Sequence, residues 1–235
     1  MARSRRLLRL REAVLEANLE LVRQGVVLYT FGNASGVDRE SGLVAIKPSG
    51  VAYDRLRPED MVLTDLEGRV VEGALRPSSD LPTHLCLYRN FPAIGGVAHT
   101  HSMYATSWAQ AGRPIPCFGT THADYFHGNV PVTDALRADA IAAGYEAETG
   151  AAICRALAGL DPEHIPGVLV RDHGPFCWGR DAAQAAHHAV ALEAIARMAY
   201  QTLALQPEAV PLAEALHEKH FSRKHGKGRY YGQER

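Results

Sequence analysis

Residues 61–73 read MVLTDLEGRVVEG. Two short runs rich in Val, Leu and Thr, MVLTDL (61–66) and RVVEG (69–73), flank Glu67-Gly68, a pair suited to a tight turn. That is the pattern of a β-hairpin, and only antiparallel strands can be joined by so short a connection. Working upstream, GLVAIKP (42–48) reads as another strand, GNASG (32–36) as a loop and VVLYT (26–30) as a strand. Residues 5–23 read as an amphipathic helix. Its stripe is Leu8, Leu15, Leu19 and Val22, joined by Leu7, Leu10, Val14 and Leu21, and Gly25 is its expected stop.

Downstream, PSSDLPTH (77–84) has the chemistry of a helix start. Ser78, Ser79 and Asp80 are N-cap types and Pro82 suits a first turn. GGVAHTHS (95–102) reads as a strand followed by a helical stretch to Gly112. VLVRDHGPFCWG (168–179) reads as a strand pair or one bent strand, and Asp181 caps a helix running to about Gln206. A further helix is expected over residues 211–224, before a polar, Gly-rich tail, GKGRYYGQER. Helices and strands are intermixed, so the class is α/β or α+β with a largely antiparallel sheet. No repeat, low-complexity tract or linker interrupts the chain, which reads as a single domain over residues 1–235.

Composition narrows the function classes. Of 235 residues, 46% are hydrophobic and 22% charged, which excludes a disordered chain. The formal net charge of −1 lacks the basic excess of a nucleic-acid binder. The start, MARSRRLLRLREAVLE, is basic, but Arg9, Arg11 and Glu12 interrupt any apolar run, so no secretory signal is expected. Residues 90–112 lack charged side chains but hold Pro92, two His and several hydroxyls, so no membrane span is expected. Four cysteines form no CxxC pair and read as free or buried thiols in a cytoplasmic setting. No GxGxxG and no GxxxxGK[ST] occurs, so nothing supports nicotinamide or nucleotide-triphosphate chemistry.

Among the twelve histidines, His99 and His101 stand out. In a strand, residues i and i+2 face the same side, so both imidazoles can reach one point. His173, where a strand runs into Gly174-Pro175, is the best candidate for a third nitrogen in an open, catalytic-type metal site. The alternative is a pair of hydrogen-bonded histidines on a buried strand. His187 and His188 point about 100° apart on a helix and read as ordinary helix residues. Ser78 and Ser79 at a helix start offer hydroxyls and free N–H groups to a phosphate, and Lys47, Ser49, Gly50, Gly32 and Asn33 could add to it. Each also reads as a plain cap or turn. Asp124 sits in THADYFHG with no Lys or Arg nearby in sequence, so it is expected to have a raised pKa and to act as acid or base, unless it only makes turn hydrogen bonds.

Together these segments resemble the class II aldolase/adducin family, and its epimerase branch in particular. The resemblance is carried by GNASGVDRESGLVAIKPSGVAYDRL, VVEGALRPSSDLPTHLCLY, GGVAHTHSMYATSWAQAG, GTTHADYFHG, GVLVRDHGPFCWG and KHFSRKHGKGRYYGQ. They cover the chain from about residue 10 onward. The resemblance implies an α/β three-layer domain, with a central, mainly antiparallel sheet and helices on both faces. It implies Asp80, His99, His101 and His173 as zinc ligands, Mn²⁺ or Co²⁺ being possible substitutes. Gly32, Asn33, Ser49, Gly50, Ser78 and Ser79, with Lys47 beside them, would bind a phosphosugar. Asp124 and Tyr231 would be the acid/base pair, with His220 in a segment packing near the site. The implied reaction is inversion at C4 of L-ribulose 5-phosphate by retro-aldol cleavage and re-formation. The implied assembly is a homotetramer with sites between subunits, reached by the tail over about 211–235. Within the same family, an aldolase that releases its fragments and a non-catalytic adducin-like module are the alternatives. Asp80, where such aldolases carry Glu, speaks against the first, and the intact histidine set against the second.

Overall fold

The computed structural model describes residues 2–225. Among the described residues, seven strands form one sheet in the order β4-β3-β2-β1-β5-β7-β6, and every neighbouring pair is antiparallel. They are β1 (Gly32–Asp38), β2 (Leu43–Ile46), β3 (Val62–Asp65), β4 (Val70–Glu72), β5 (Gly96–Thr100), β6 (Gly167–Val170) and β7 (Gly174–Gly179). The helices are α1 (Ala2–Arg23), α2 (Leu81–Asn90), α3 (Met103–Gln110), the short α4 (Thr120–Ala123), α5 (Ala138–Ala156), α6 (Ala182–Leu205) and α7 (Glu214–His225). None is long and apolar enough to cross a membrane.

The expected hairpin is present. β3 and β4 pair across Glu67-Gly68, with Gly68 at φ +87° and its N–H donating to the Asp65 carbonyl. Asp181 caps α6 by accepting from the Gln184 N–H at 2.8 Å, as its position predicts.

Helices cover both faces, and β1 shows why. Its side chains alternate between faces. A Cβ on Gly36 would meet Leu10 and Val14 of α1 and Ala182 of α6. The next residue back, Ser35, points the other way and bonds His84 and Tyr88 of α2, each at 2.7 Å. α1 and α6 therefore lie on one face and α2 on the other. α5 packs on α2, and α3 packs on α6, where Glu193 accepts from the Tyr104 and Ala105 N–H groups at its start.

Three readings of the sequence are corrected. GNASG is not a loop: it opens β1, the central strand. Its glycines are there for close approach, since a Cβ on Gly32 would lie 2.7 Å from the His99 carbonyl oxygen. VVLYT is not a strand. Val26 and Val27 are buried, but Leu28 and Tyr29 are exposed and Tyr29 takes φ +51°, which breaks any extended run. The buried side of α1 is Val14, Ala17, Asn18 and Leu21, while Leu8 and Val22 face outward. Asn18 looks misplaced by hydropathy, yet it donates to the Ala34 carbonyl and accepts from the Ala34 N–H, satisfying backbone inside the core. Fully burying Val14 and Leu21 contributes about 1.5–3 kcal/mol each.

Candidate active site

The site begins as a row of residues across three strands. Asn33 of β1 lies opposite His99 of β5, and His99 lies opposite Phe176 of β7, so all three project from the face that carries α2. Phe176 stacks on the His99 ring at 4.2 Å between centroids. His101 lies just past the end of β5, and its Nε2 is 3.0 Å from His99 Nε2. The β6–β7 connection, Arg171-Asp172-His173, turns with Asp172 at φ +63° and brings His173 over the pair. One ring nitrogen from each of His99, His101 and His173 lies within 4.8 Å of the others.

These residues fit a metal. His99 Nδ1 lies 3.0 Å from the Pro175 carbonyl oxygen, which only accepts, so that nitrogen carries the proton. Its Nε2 is left as a lone pair aimed at His101. His173 Nδ1 is buried without a hydrogen-bond partner. Burial pushes the His99 imidazole down to about 3, with Asp80 pulling the other way, and burial also lowers His101 and His173. Neutral imidazoles are the form that ligates a metal.

Asp80 joins them from another direction. It occupies the N-cap position of α2 but makes no side-chain cap bond. Its carboxylate instead accepts from Asn33 Nδ2 at 2.6 Å. Burial would raise its pKa, but His99, His84 and the Asn33 bond outweigh it and hold the group below the ordinary carboxylate range. Asp80 lines the same cleft as the histidines without belonging to their tightest cluster.

The cleft has a volume of about 370 Å³ and a polar second half. Lys47, Ser49, Gly50, Ser78 and Ser79 all border it, together with Gly32 and Asn33. Two backbone bonds bring these distant segments together: the Ser49 N–H donates to the Arg76 carbonyl and the Ser78 N–H to the Lys47 carbonyl, around a Pro48–Pro77 bridge. Lys47 is only 2% exposed, and burial pushes its ammonium down to about 8. It donates to the Pro48 carbonyl and lies over the Tyr53 ring. Asn33 Oδ1 is buried and unpartnered at the cleft, an acceptor open to a ligand hydroxyl.

Tyr145 and Glu146 of α5 also line the cleft and were not found from sequence. The one local signal was Gly144, which breaks the α5 helix at φ +159° just before them.

Asp124 does not border this cleft. It ends α4 and is held by α7 of the same chain: Arg223 donates to both its carboxylate oxygens at 3.1 and 2.7 Å, His220 lies at 3.2 Å and Lys224 at 3.3 Å. The expectation of a raised pKa is therefore overturned. Burial alone would raise it, but bonds from Arg223, His220 and Lys224 hold Asp124 below the ordinary carboxylate range. The cations come from about a hundred residues away in sequence, which is why the neighbourhood in sequence misled. Tyr231 lies outside the described residues.

Residues 12–200 match the family model described as "Class II Aldolase and Adducin N-terminal domain". Proteins named L-ribulose-5-phosphate 4-epimerase UlaF, from Salmonella paratyphi B and Salmonella typhi, are each 52% identical over 225 residues, covering 96% of this chain and 99% of theirs. Among solved structures, an L-fuculose 1-phosphate aldolase superposes with a TM-score of 0.80 at 26% identity, covering 91% of this chain and 95% of its own.

Proposed function

Because the chain belongs to the class II aldolase and adducin family, we propose that it inverts C4 of L-ribulose 5-phosphate to give D-xylulose 5-phosphate. The observation that carries this reading is the meeting, in one cleft, of the three-histidine cluster with the bridged 47–50 and 76–79 segments. The first would hold a metal and the second a phosphate, the two groups that a small phosphosugar needs in one cleft. The likeness to epimerases over nearly the whole of both chains favours inversion over release of fragments.

The substrate's own chemistry demands bond cleavage. With the ketone at C2, the C3 proton is acidic, but C4 is one carbon too far for its proton to be removed directly. Breaking the C3–C4 bond, turning the aldehyde and re-forming the bond inverts C4 instead. A divalent metal held by His99, His101, His173 and Asp80 would supply Lewis-acid polarisation of the substrate oxygens; zinc suits this set, and manganese or cobalt could replace it.

The chain's own residues do the rest. Lys47 brings positive charge to the phosphate, and Ser49, Ser78 and Ser79 bring hydroxyls, with Gly50 leaving open space for close backbone approach and Gly32 bordering the cleft beside Asn33. Holding the phosphate keeps the two-carbon fragment in place while it turns. Asn33 holds Asp80 with its Nδ2 and offers its Oδ1 to a substrate hydroxyl. The C4 hydroxyl must lose its proton on cleavage and regain it on the opposite face, so a group is needed on each side. Asp124 and Tyr231 take these roles, brought to the cleft by a neighbouring copy in a homotetramer. Asp124's place away from the cleft of its own chain suits such sharing.

The test is turnover of L-ribulose 5-phosphate, followed by D-xylulose 5-phosphate formation and by free glycolaldehyde phosphate. Inversion without free fragment is the expected result. Steady release of fragment would make the protein an aldolase, and no conversion of this pentulose would overturn the reading.

A further inference from the structure

Cys86 and Cys154 lie far apart in sequence and meet where α2 packs on α5. Their sulfur atoms are 3.9 Å apart and neither residue is fully buried. The helices can approach because Gly150 faces Cys86: a Cβ there would lie 2.6 Å from the Cys86 Cβ. Asn90 Nδ2 lies 3.6 Å from the Cys86 sulfur, and Arg89, Arg155 and Glu148 are the charged groups that act on the pair. The other thiols, Cys117 and Cys177, are buried.

We propose that Cys86 and Cys154 are a redox modification site, forming a reversible disulfide that staples α2 to α5 when a peroxide reaches them. Cys86 is the attacking sulfur. Hydrogen bonding from Cys154 lowers its pKa against the effect of burial, with Arg89 and Asn90 adding to the shift, whereas the Cys154 thiol is raised. The Cys86 sulfur attacks one peroxide oxygen, giving a sulfenic acid and one water. The Cys154 thiol then attacks that sulfur, forming the S–S bond and releasing a second water. Two sulfurs give up two electrons in total and the peroxide takes them. The staple would tie α2, the helix that follows Asp80, to α5, which carries Tyr145 and Glu146 of the cleft wall. Thr83 of α2 already bonds the Glu146 carbonyl at 2.6 Å, so the two helices are held in register before any oxidation. This inference is independent of the substrate proposed above.

The test is hydrogen peroxide added to the full chain, read by thiol titration and by peptide mass mapping with and without dithiothreitol. The expected result is loss of two thiols per chain, a Cys86–Cys154 linked peptide and full reversal by dithiothreitol. The linked chain should unfold at a higher temperature, because the bond closes a 68-residue separation in the unfolded state. In Cys154→Ser, Cys86 should stop at a sulfenic acid that dimedone traps. In Cys86→Ser, thiol loss should slow by about tenfold or more. Thiol loss without that linked peptide, or a linked chain that unfolds at a lower temperature, overturns the proposal. Unchanged kinetics in Cys86→Ser overturns Cys86 as the attacking sulfur. If either variant fails to fold, the wild-type mass map alone decides.

Discussion

Asn33 and His99 lie directly opposite each other on β1 and β5, and Asn33 Nδ2 grips Asp80 at 2.6 Å, so one cross-strand pair orients groups from three separate parts of the chain. Asn33→Ala should release the Asp80 carboxylate while leaving His99 in place. Loss of such a supporting bond costs about 10–100-fold in metal affinity. Metal retained after dialysis against a graded chelator series measures it, and unchanged retention would show that Asp80 needs no support.

His99→Asn should remove bound metal together with turnover, and exhaustive chelation of the unaltered protein should do the same. Elemental analysis alongside the epimerase assay checks both. Full activity in metal-free protein would falsify the metal-assisted mechanism.

Lys47 imposes a pH limit. Its ammonium is pushed down to about 8 by burial, so in the free protein it is charged below that pH and neutral above it. A neutral amine no longer attracts the substrate phosphate, and kcat/KM should therefore fall as pH rises through about 8. Lys47→Met should lower kcat/KM and abolish that limb; a limb unchanged in the variant would assign it to another group.

Asp124→Asn should reduce kcat by about 10²–10⁴-fold with metal content unchanged, if Asp124 transfers a proton. It should also loosen α7, since charge-assisted bonds of this kind contribute about 1.5–3 kcal/mol. The sign of the pH effect follows from the lowered pKa. The contribution of Asp124 to stability is complete above the unfolded carboxylate value and is lost as pH falls through the lower folded value. Acid unfolding of the variant should therefore be shallower than that of the parent. A kcat change under about threefold would leave Asp124 as a structural anchor for α7, well short of a general acid/base effect.

A shared site makes a complementation experiment decisive. Tyr231→Phe should keep metal and lack the phenol; His99→Asn should lack metal and keep the tail. Co-refolding the two inactive variants should restore activity in hybrid oligomers. Hybrids that form by mass measurement and stay inactive would mean that each tail serves its own chain.

Gly32→Ala tests the close approach of β1 to β5. The new Cβ would meet the His99 carbonyl oxygen at 2.7 Å, at φ +134°. Backbone strain of this kind costs about 1–3 kcal/mol, and the added contact should push β5 away from β1. A lower midpoint in denaturant and weaker metal retention are the expected pair of results. A variant with the parent's stability would show that β1 and β5 can separate without cost.

Features set by short-range chemistry are legible in the amino-acid order. The turn at Glu67-Gly68, the cap at Asp181, the two-residue spacing of His99 and His101 and the family segments were all readable, because each is settled within a few residues. The remaining features depend on contacts between distant segments. GNASG reads as a loop until β2 and β5 pair on both sides of it, and only that crowding explains its glycines. Asp80 reads as an ordinary cap, yet Asn33, forty-seven residues away, turns its carboxylate into the cleft. Asp124 reads as a carboxylate free of cations until α7 folds back and sets Arg223, Lys224 and His220 around it. Local pattern specifies conformation, whereas charge state and the direction of a side chain depend on neighbours that arrive only when the chain has folded.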